Sequence, residues 1–369
     1  MLETYERAAE LCARLDDAEE AARITTQVTW GLWAFYSVRS DIPRALIHGR
    51  RLLRMAEQHG TTSDWMVAHS SMAVATYFGG DLAACRLHAE AAIDHEAANP
   101  DRELSTASPQ DLGVNALSSL ALAAWHRGRG DDAASWAARA LELAKHFKHP
   151  YSEVFAGSWA ARLFQSRRRP EETLRLADAV VETSERHGFF WATQGLFFRG
   201  CARVQAARDR GEPIPDSALE LMVQGLGAYR ATGARLSLSY MLAQVAEARL
   251  WRAELDVASG LVREARDAAA DDLESYWRPE LDRLDAEVAR ARGELELADR
   301  CFLSGWELAR AAGDHALALR GSLSWARLLL DRGDVDGARR RLEEALTPMR
   351  AADERDVVEA RALLDASLR

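Results

Sequence analysis

An all-α solenoid of stacked helix pairs is the fold class the sequence predicts, and three observations predict it. The first is a turn that leads into a helix and recurs along the chain. It reads Gly333-Asp334-Val335-Asp336-Gly337-Ala338, then Gly293-Glu294-Leu295-Glu296-Leu297-Ala298, Ala253-Glu254-Leu255-Asp256-Val257-Ala258 and Gly80-Asp81-Leu82-Ala83-Ala84-Cys85. Looser copies end at Ala45, Ala133, Thr173 and Ala218. The end positions 45, 85, 133, 173, 218, 258, 298 and 338 are spaced by 40, 48, 40, 45, 40, 40 and 40 residues. Self-similarity at such a period marks a repeat array. The second observation is a pair of further small-residue columns in the same register. Ala73, Ala121, Ala161, Ala246, Ala286 and Ala326 precede the anchors, and Ala92, Ala140, Val180, Gly225, Ala265, Gly305 and Ala345 follow them. The third is a set of glycines, Gly60, Gly188, Gly233 and Gly313, placed to end the second helix of a pair in a left-handed cap.

One small residue on the first helix and two on the second is the tetratricopeptide arrangement, because small side chains let helix backbones approach at a crossing. A 40-residue period also suits HEAT or armadillo repeats; the spacing of the small residues favours tetratricopeptide repeats with lengthened helices. The reading is about eight ~40-residue helix pairs with one extra helix at each end and no β-sheet. Residues 1–16 form a remnant helix, 19–352 the eight repeats and 353–369 a capping helix, all in a single solenoid domain.

The register leads one to expect that the chain opens inside a repeat. Residues 2–15 read as an amphipathic helix whose apolar stripe (Leu2, Tyr5, Ala9, Cys12) is expected to pack on the first helix of repeat one, while its other side lacks a neighbour and is expected to recruit a partner, such as a second copy. Repeat one carries the aromatic run Trp30-Gly31-Leu32-Trp33-Ala34-Phe35-Tyr36. An insertion from Ala97 to Gln110, with the breakers Asn99-Pro100 and Ser108-Pro109, accounts for the spacing of 48. A second, Arg210-Gly211-Glu212-Pro213-Ile214-Pro215, leaves Gly200 and Cys201 as alternatives for the small residue of repeat five. The last helix carries a Val357, Val358, Leu363, Leu364 stripe.

Composition narrows the function classes. The chain has 369 residues, 48% of them hydrophobic, and a formal net charge of −10. That acidity argues against nucleic acid or an anionic membrane as a direct partner. No apolar run reaches the ~20 residues of a membrane span. The four cysteines, Cys12, Cys85, Cys201 and Cys301, are far apart and read as structural thiols in the cytoplasm. No phosphate loop and no His-Glu-x-x-His are present, and His88 and His95 stand seven apart on one helix, a poor zinc spacing. No enzyme activity, metal or cofactor is expected. Asp131-Asp132 and Asp271-Asp272 read as helix N-caps, and Arg167-Arg168-Arg169 and Arg339-Arg340-Arg341 as solvated faces.

The concave groove is the candidate site. In a tetratricopeptide superhelix the first helix of each pair lines it. Register places Gln27, Trp30, Ala34 and Ser37 inward in repeat one, and Val67, Ser70, Val74 and Tyr77 in repeat two. Repeat three offers Asn115, Ser118, Leu122 and Trp125, and repeat four Phe155, Ser158, Arg162 and Gln165. This aromatic and hydroxyl-lined wall suits a small ligand or an extended peptide. Trp30, Tyr77 and Trp125 supply stacking faces, Gln110 and Asn115 hydrogen bonds, and Arg162 a clamp for an anion or carboxylate, with Asp111 and Phe155 as the remaining candidate contacts and residues 97–110 as a lid. Later repeats offer Glu247, Glu280, Arg283, Glu287, Arg290, Arg320 and Arg327, read as a solvated mixed-charge wall.

The run Trp30-Gly31-Leu32-Trp33 with Phe35-Tyr36 resembles the C-terminal tetratricopeptide region of large bacterial regulators built on a STAND/AAA-type ATPase. These carry an adenylate- or guanylate-cyclase or LuxR-type DNA-binding output, and the maltose-regulon activator has a related architecture. Gln110-Asp111-Leu112-Gly113-Val114, Tyr229-Arg230-Ala231-Thr232-Gly233-Ala234 and Trp277-Arg278-Pro279-Glu280-Leu281 with Arg283-Leu284 carry the same resemblance. The family often has Gly-Gln-Asp-Pro-Gly at the insertion, where this chain has Pro109 for the first Gly and Leu112 for the Pro. The resemblance covers the array alone and brings no catalytic residue. It implies a sensor arm that binds an inducer or a protein partner and controls an ATPase or cyclase domain of a longer chain. The alternative is a free-standing adaptor that holds a peptide in its groove.

Overall fold

The structure, a computed structural model, describes residue 7 and residues 18–98, 108–269, 274–350 and 353–367. Among these the chain is all-helical, with no strand. The helices are α1 (Ala18–Val38), α2 (Ile42–His59), α3 (Thr62–Phe78), α4 (Leu82–Ala97), α5 (Leu112–His126), α6 (Gly130–His146), α7 (Pro150–Ser166) and α8 (Pro170–His187). They continue as α9 (Ala192–Asp209), α10 (Asp216–Ala231), α11 (Leu238–Trp251), α12 (Leu255–Ala268), α13 (Arg278–Ala291), α14 (Leu295–Ala311), α15 (His315–Asp331), α16 (Val335–Leu346) and α17 (Arg355–Ser367). Successive pairs stack as a tetratricopeptide-like solenoid. The expected N-terminal helix, with Cys12, lies outside the described residues, as do Asn99-Pro100 and Asp271-Asp272.

The small-residue columns are where the helices meet. The anchors Ala45, Cys85, Ala133, Thr173, Ala218 and Ala298 are completely buried, and Ala258 and Ala338 nearly so. The preceding alanines, from Ala73 to Ala326, are buried against them. In repeat five Gly200 is the close-approach residue: a Cβ there would lie 2.6 Å from the Ala218 carbonyl oxygen. The capping glycines Gly60, Gly188, Gly233 and Gly313 all have positive φ.

A further column emerges five residues before each anchor. It is left-handed in seven of the eight repeats, and four of them place glycine there: Gly80, Gly128, Gly293 and Gly333. The other three are Ser40 (φ 64°), Arg168 (φ 56°) and Ala253 (φ 59°). In each of these turns the next residue's N–H reaches back to the first helix, as from Asp41 to the Tyr36 carbonyl (2.9 Å) and from Glu254 to the Arg249 carbonyl (3.0 Å). Ser40 and Arg168 use their side chains in contacts described below. Ala253 is exposed and gains nothing for its strain. Ala253→Gly is therefore expected to stabilise the protein by up to about 1 kcal/mol, the left-handed penalty offset in part by glycine's unfolded-state freedom. A urea titration checks this, and a loss of stability would contradict the strained geometry.

The solenoid closes on itself. Its second turn stacks on its first, five repeats apart, and the turn-to-turn contacts are backbone hydrogen bonds. The N–H groups of Arg235 (2.8 Å) and Leu236 (3.1 Å) donate to the Val38 carbonyl. Ser275 N–H donates to the Phe78 carbonyl (3.0 Å) and Arg350 N–H to the Gly128 carbonyl (3.0 Å). Each is made by the end of a first helix of one turn and the segment entering a first helix of the next. Side chains reinforce them. His126 Nδ1 lies 2.7 Å from Asp314 Oδ2 and its Nε2 3.2 Å from the Tyr77 hydroxyl, all three residues being buried.

The charged segments take part in this stacking, which corrects the reading of Arg167-Arg168-Arg169 as a solvated face. Arg167 Nε donates to Glu354 Oε1 (2.5 Å) in a buried pair, Arg168 pairs with Asp356 (2.9 Å) and Arg169 with Asp353 (2.8 Å). Three consecutive arginines thus hold the start of α17 against repeat four. On α17 itself Val357 is buried while Val358 is exposed, so the apolar stripe is narrower than expected. Asp131 and Asp132 lie within the first turn of α6, where the helix dipole favours them, and Arg129 occupies the cap.

Candidate functional site

Stacking of the turns covers part of the groove of the sequence reading and leaves a partly open cavity. Tyr77 (1% exposed) and Trp125 (3%) were expected to face a groove; they pack instead where the two turns meet. Tyr77 lies against Tyr276 (ring centroids 5.1 Å apart), and Trp125 stacks on Trp277 (6.5 Å). The physical reason is burial: two aromatic faces turned toward the axis are covered by the next turn of the same chain.

Between the turns remains a cavity of ≈ 360 Å³. Five of the eight sequence candidates line it: Trp30, Gln110, Asn115, Phe155 and Arg162. Tyr77, Trp125 and Asp111 do not. Asp111 is buried and caps α5, its Oδ1 accepting from Val114 N–H (2.9 Å). The insertion reaches the cavity through Pro109 and Gln110, while residues 99–107 lie outside the described part of the lid. Of Ser70, Ser118 and Ser158 only Ser158 reaches the cavity, donating to Gln194 Oε1 (2.8 Å); Ser118 bonds back to the Val114 carbonyl (2.8 Å).

Other lining residues come from segments that the repeat register did not select. Phe190, Trp191 and Gln194 open repeat five, Tyr229 lies in the last turn of α10, and Leu236 and Ser237 belong to the segment entering repeat six. The aromatic walls are ordered: Phe155 stacks on Trp159 (5.3 Å, 28°) and meets Trp191 edge-on (5.5 Å, 85°). The Phe189-Phe190-Trp191 cluster directly after Gly188 was the available signal, since three aromatics in a connection need a surface to cover. The count through repeat five was also offset by the Arg210–Pro215 insertion, which hid Gln194.

The polar inventory of the wall is small and partly unengaged. Trp33 Nε1, Ser37 Oγ and Asn115 Oδ1 belong to lining residues and are buried without a hydrogen-bond partner, while Trp191 is engaged by the neighbouring Tyr151 side chain. Unpaired buried groups are uncommon and costly. Arg162 is the cationic element. Its Nη1 donates to Ser237 Oγ (2.8 Å) and its Nη2 to the Tyr276 hydroxyl. Its guanidinium lies 4.3 Å from the Tyr240 ring centroid and 5.0 Å from that of Tyr276. Burial opposes its charge, but the hydroxyls of Tyr276, Tyr77 and Tyr240 and the Glu274 carboxyl hold its pKa above the ordinary value.

Glu274 is the acidic counterpart, completely buried at the turn-to-turn seam. It accepts from Ser40 Oγ (3.0 Å) and from Ser237 N–H (3.1 Å), which accounts for a serine in the left-handed column. Burial pushes its carboxyl up to about 7, against the lowering influence of Arg162 and its hydrogen bonds. A folded pKa above the ordinary 4.5 means that the folded state holds the proton more tightly. Its contribution is therefore fully present below pH ~4.5 and lost as pH rises through ~7, a cost of roughly 3 kcal/mol. Urea titrations at pH 5 and pH 8 are expected to show this loss in the wild type relative to Glu274→Gln. Equal pH dependence in the two proteins would remove Glu274 from the account.

His88 and His95 gather a third ring from the neighbouring helix, with His69 Nδ1 3.0 Å from His88 Nδ1 and Trp65 stacked on His95. Among the described residues no group of three or more His, Cys, Asp or Glu side chains is arranged to hold a metal ion.

Comparison with solved structures places this geometry among known folds. A Rap protein complexed with the competence and sporulation factor superposes with a TM-score of 0.55 at 10% identity, covering 93% of this chain and 98% of that one. The apo quorum sensor NprR from B. thuringiensis gives 0.54 at 12% identity, covering 94% and 92%. Apo RapI gives 0.51 at 12% identity, covering 98% and 94%. The shared property is the fold. No protein-family model matches the chain, and no curated protein does.

Proposed function

We propose that this protein is a non-catalytic sensor whose inter-turn cavity receives a short peptide with apolar side chains and a free carboxylate. The observation that carries the reading is the composition of the wall: aromatic faces of the first superhelical turn, closed over by Leu236 and Ser237 entering the second, around one guanidinium, with polar atoms of three lining residues still unpaired. An extended peptide offers what such a wall lacks, alternating apolar side chains with backbone donors and acceptors. Its carboxylate suits Arg162, which has tyrosine hydroxyls and a serine but no ionised partner within pairing distance. A small-molecule inducer with the same groups fits the same chemistry. Because Val38 on one turn and Ala234, Leu236 and Ser237 on the other all border the cavity, occupancy would tighten the seam, and the whole superhelix would report it. Two structural neighbours are consistent with the reading: one was solved with the competence and sporulation factor and the other is a quorum sensor.

The placement of such a sensor in a longer regulator, joined to an ATPase or cyclase domain, rests on the sequence resemblance alone. So does a role in transcription. The free-standing adaptor that holds a partner's segment in the same cavity uses the same residues. The cytoplasm fits the free thiols of Cys85, Cys201 and Cys301. No described helix is long and apolar enough to cross a membrane. Association through the N-terminal helix concerns residues outside the described part.

A thermal-shift panel of short apolar peptides, sugars and nucleotides tests the reading, with Ala34→Trp as the blocking variant. Ala34 lines the cavity and is only partly buried, so a tryptophan there fills the space. Peptides are expected to raise the melting temperature of the wild type and not of the variant, which itself melts close to the wild type. Equal shifts in both would place the binding elsewhere.

A further inference from the structure

A second cavity, of ≈ 310 Å³, shares no lining residue with the first. It lies among the first helices of repeats five to eight, α9, α11, α13 and α15, and is capped by the turn after α7. Six arginines line it, Arg168, Arg208, Arg283, Arg290, Arg320 and Arg327, against two carboxylates, Glu247 and Glu287. The sequence reading had this wall as a solvated mixture of charges. The structure corrects that: Arg283, Arg320, Glu247 and Glu280 are buried.

The arginines are held from behind. Arg283 is clamped between Glu280 (2.7 Å) and Glu247 (2.5 Å). Arg320 donates to Asp356 (3.0 Å) and the Ser166 carbonyl (2.5 Å), and Asp356 also holds Arg168 (2.9 Å). Arg327 pairs with Glu359 (3.1 Å) and Arg290 with Glu287 (2.9 Å). Glu280, Asp356 and Glu359 are not part of the cavity wall. With Glu280, Asp356 and Glu359 behind and only Glu247 and Glu287 in the wall, the guanidinium groups make a pre-organised, predominantly cationic surface.

Arg208 departs from this pattern. Its guanidinium lies on the face of Trp251, 3.9 Å from the ring centroid, and no carboxylate pairs with it. Although its surface is exposed, the desolvating surroundings of the cavity lower its pKa, and Arg168, Arg283 and Arg327 lower it further against the opposing influence of Glu247. Arg208 is exposed, beside other cations and held by no carboxylate, so an anion entering the cavity can pair with it without displacing a protein partner.

We propose that this cavity binds a compact phosphate-class polyanion, completed by Arg208. A single carboxylate has two oxygens in one plane and satisfies one guanidinium fork. Here forks approach from α9, α13, α15 and the turn after α7, and an anion with oxygens in several directions and a charge of two or more matches them better. The space admits pyrophosphate or the phosphates of a nucleotide. The site lies where α17 is pinned, through Asp356 and Glu359, so occupancy would also brace the C-terminal end of the solenoid.

Calorimetric titration of the full chain with pyrophosphate tests this, with orthophosphate, a nucleoside triphosphate and citrate as comparison arms. Pyrophosphate is expected to bind, to bind more weakly as sodium chloride is raised, and to bind more tightly than citrate. A triphosphate stronger than pyrophosphate would identify a nucleotide as the source, and equal affinities a free phosphate. Arg208→Ala is expected to weaken binding about tenfold or more, as for one lost charge-assisted partner. It should leave the ligand-free melting temperature nearly unchanged, since the side chain only covers Trp251. Arg327→Gln, at the partly exposed rim, is the second variant and is expected to act in the same direction. Absence of binding at millimolar pyrophosphate, citrate equal to pyrophosphate, or full affinity in Arg208→Ala would each overturn the proposal.

Discussion

Replacing Arg162 by alanine is expected to cost roughly 3–5 kcal/mol of folding stability, the range for removing one member of a buried charged network. The guanidinium joins three segments. It sits on α7 in the first turn, bonds Ser237 at the entry to α11, and bonds Tyr276 at the entry to α13. Its loss also leaves Glu274 without the cation that most opposes its raised pKa. Glu274 would then take up a proton at neutral pH, which holds the loss toward the lower end of the range. Arg162→Met, which keeps much of the volume, should lose nearly as much, because charge and hydrogen bonds are what it lacks. Since Arg162 also borders the cavity, both variants should weaken peptide binding. Urea titration beside peptide affinity is the check; a loss below 1 kcal/mol, with stacking of the turns intact, would contradict a seam built on Arg162.

Trp125→Ala is expected to cost a similar ~3–5 kcal/mol with peptide affinity unchanged. Its ring is buried between turns, stacked on Trp277, edge-on to His126 (4.6 Å) and beneath the Arg320 guanidinium (5.5 Å). It does not line the cavity, so its removal should act through packing alone. Affinity lost while stability is retained would return Trp125 to the groove-facing role that the repeat register suggested.

The contrast between these residues shows how much was legible in the sequence. The repeat columns were, because each records a local event: two helices of one pair, or of adjacent pairs, crossing at a small residue. Ala45 to Ala338 mark those crossings whatever the superhelix does. The inward positions were legible for the same reason, and Trp30, Asn115, Phe155 and Arg162 do line a cavity. What register cannot supply is the pitch. The number of repeats per turn depends on small rotations accumulated over five pairs, and it decides what an inward residue meets. Thus Tyr77 and Trp125 meet the next turn and are sealed, while Phe155 and Arg162 border open space. The misreading of Arg167-Arg168-Arg169 has the same origin, since their partners Glu354, Asp356 and Asp353 are more than 180 residues away in sequence. The left-handed column was hidden for a different reason. Ser40, Arg168 and Ala253 interrupt the glycines, and two of them keep non-glycine side chains for contacts made across turns.

The central claim is that a ligand sits between superhelical turns and tightens the seam between them. Amide hydrogen exchange with and without the tightest peptide from the thermal-shift panel tests it most directly. The amides of Arg235, Leu236 and Ser275, which donate across the seam, should exchange more slowly in the complex, along with the segments around Asn115 and Trp191. Binding that leaves those amides unchanged and protects the convex helices instead would contradict it.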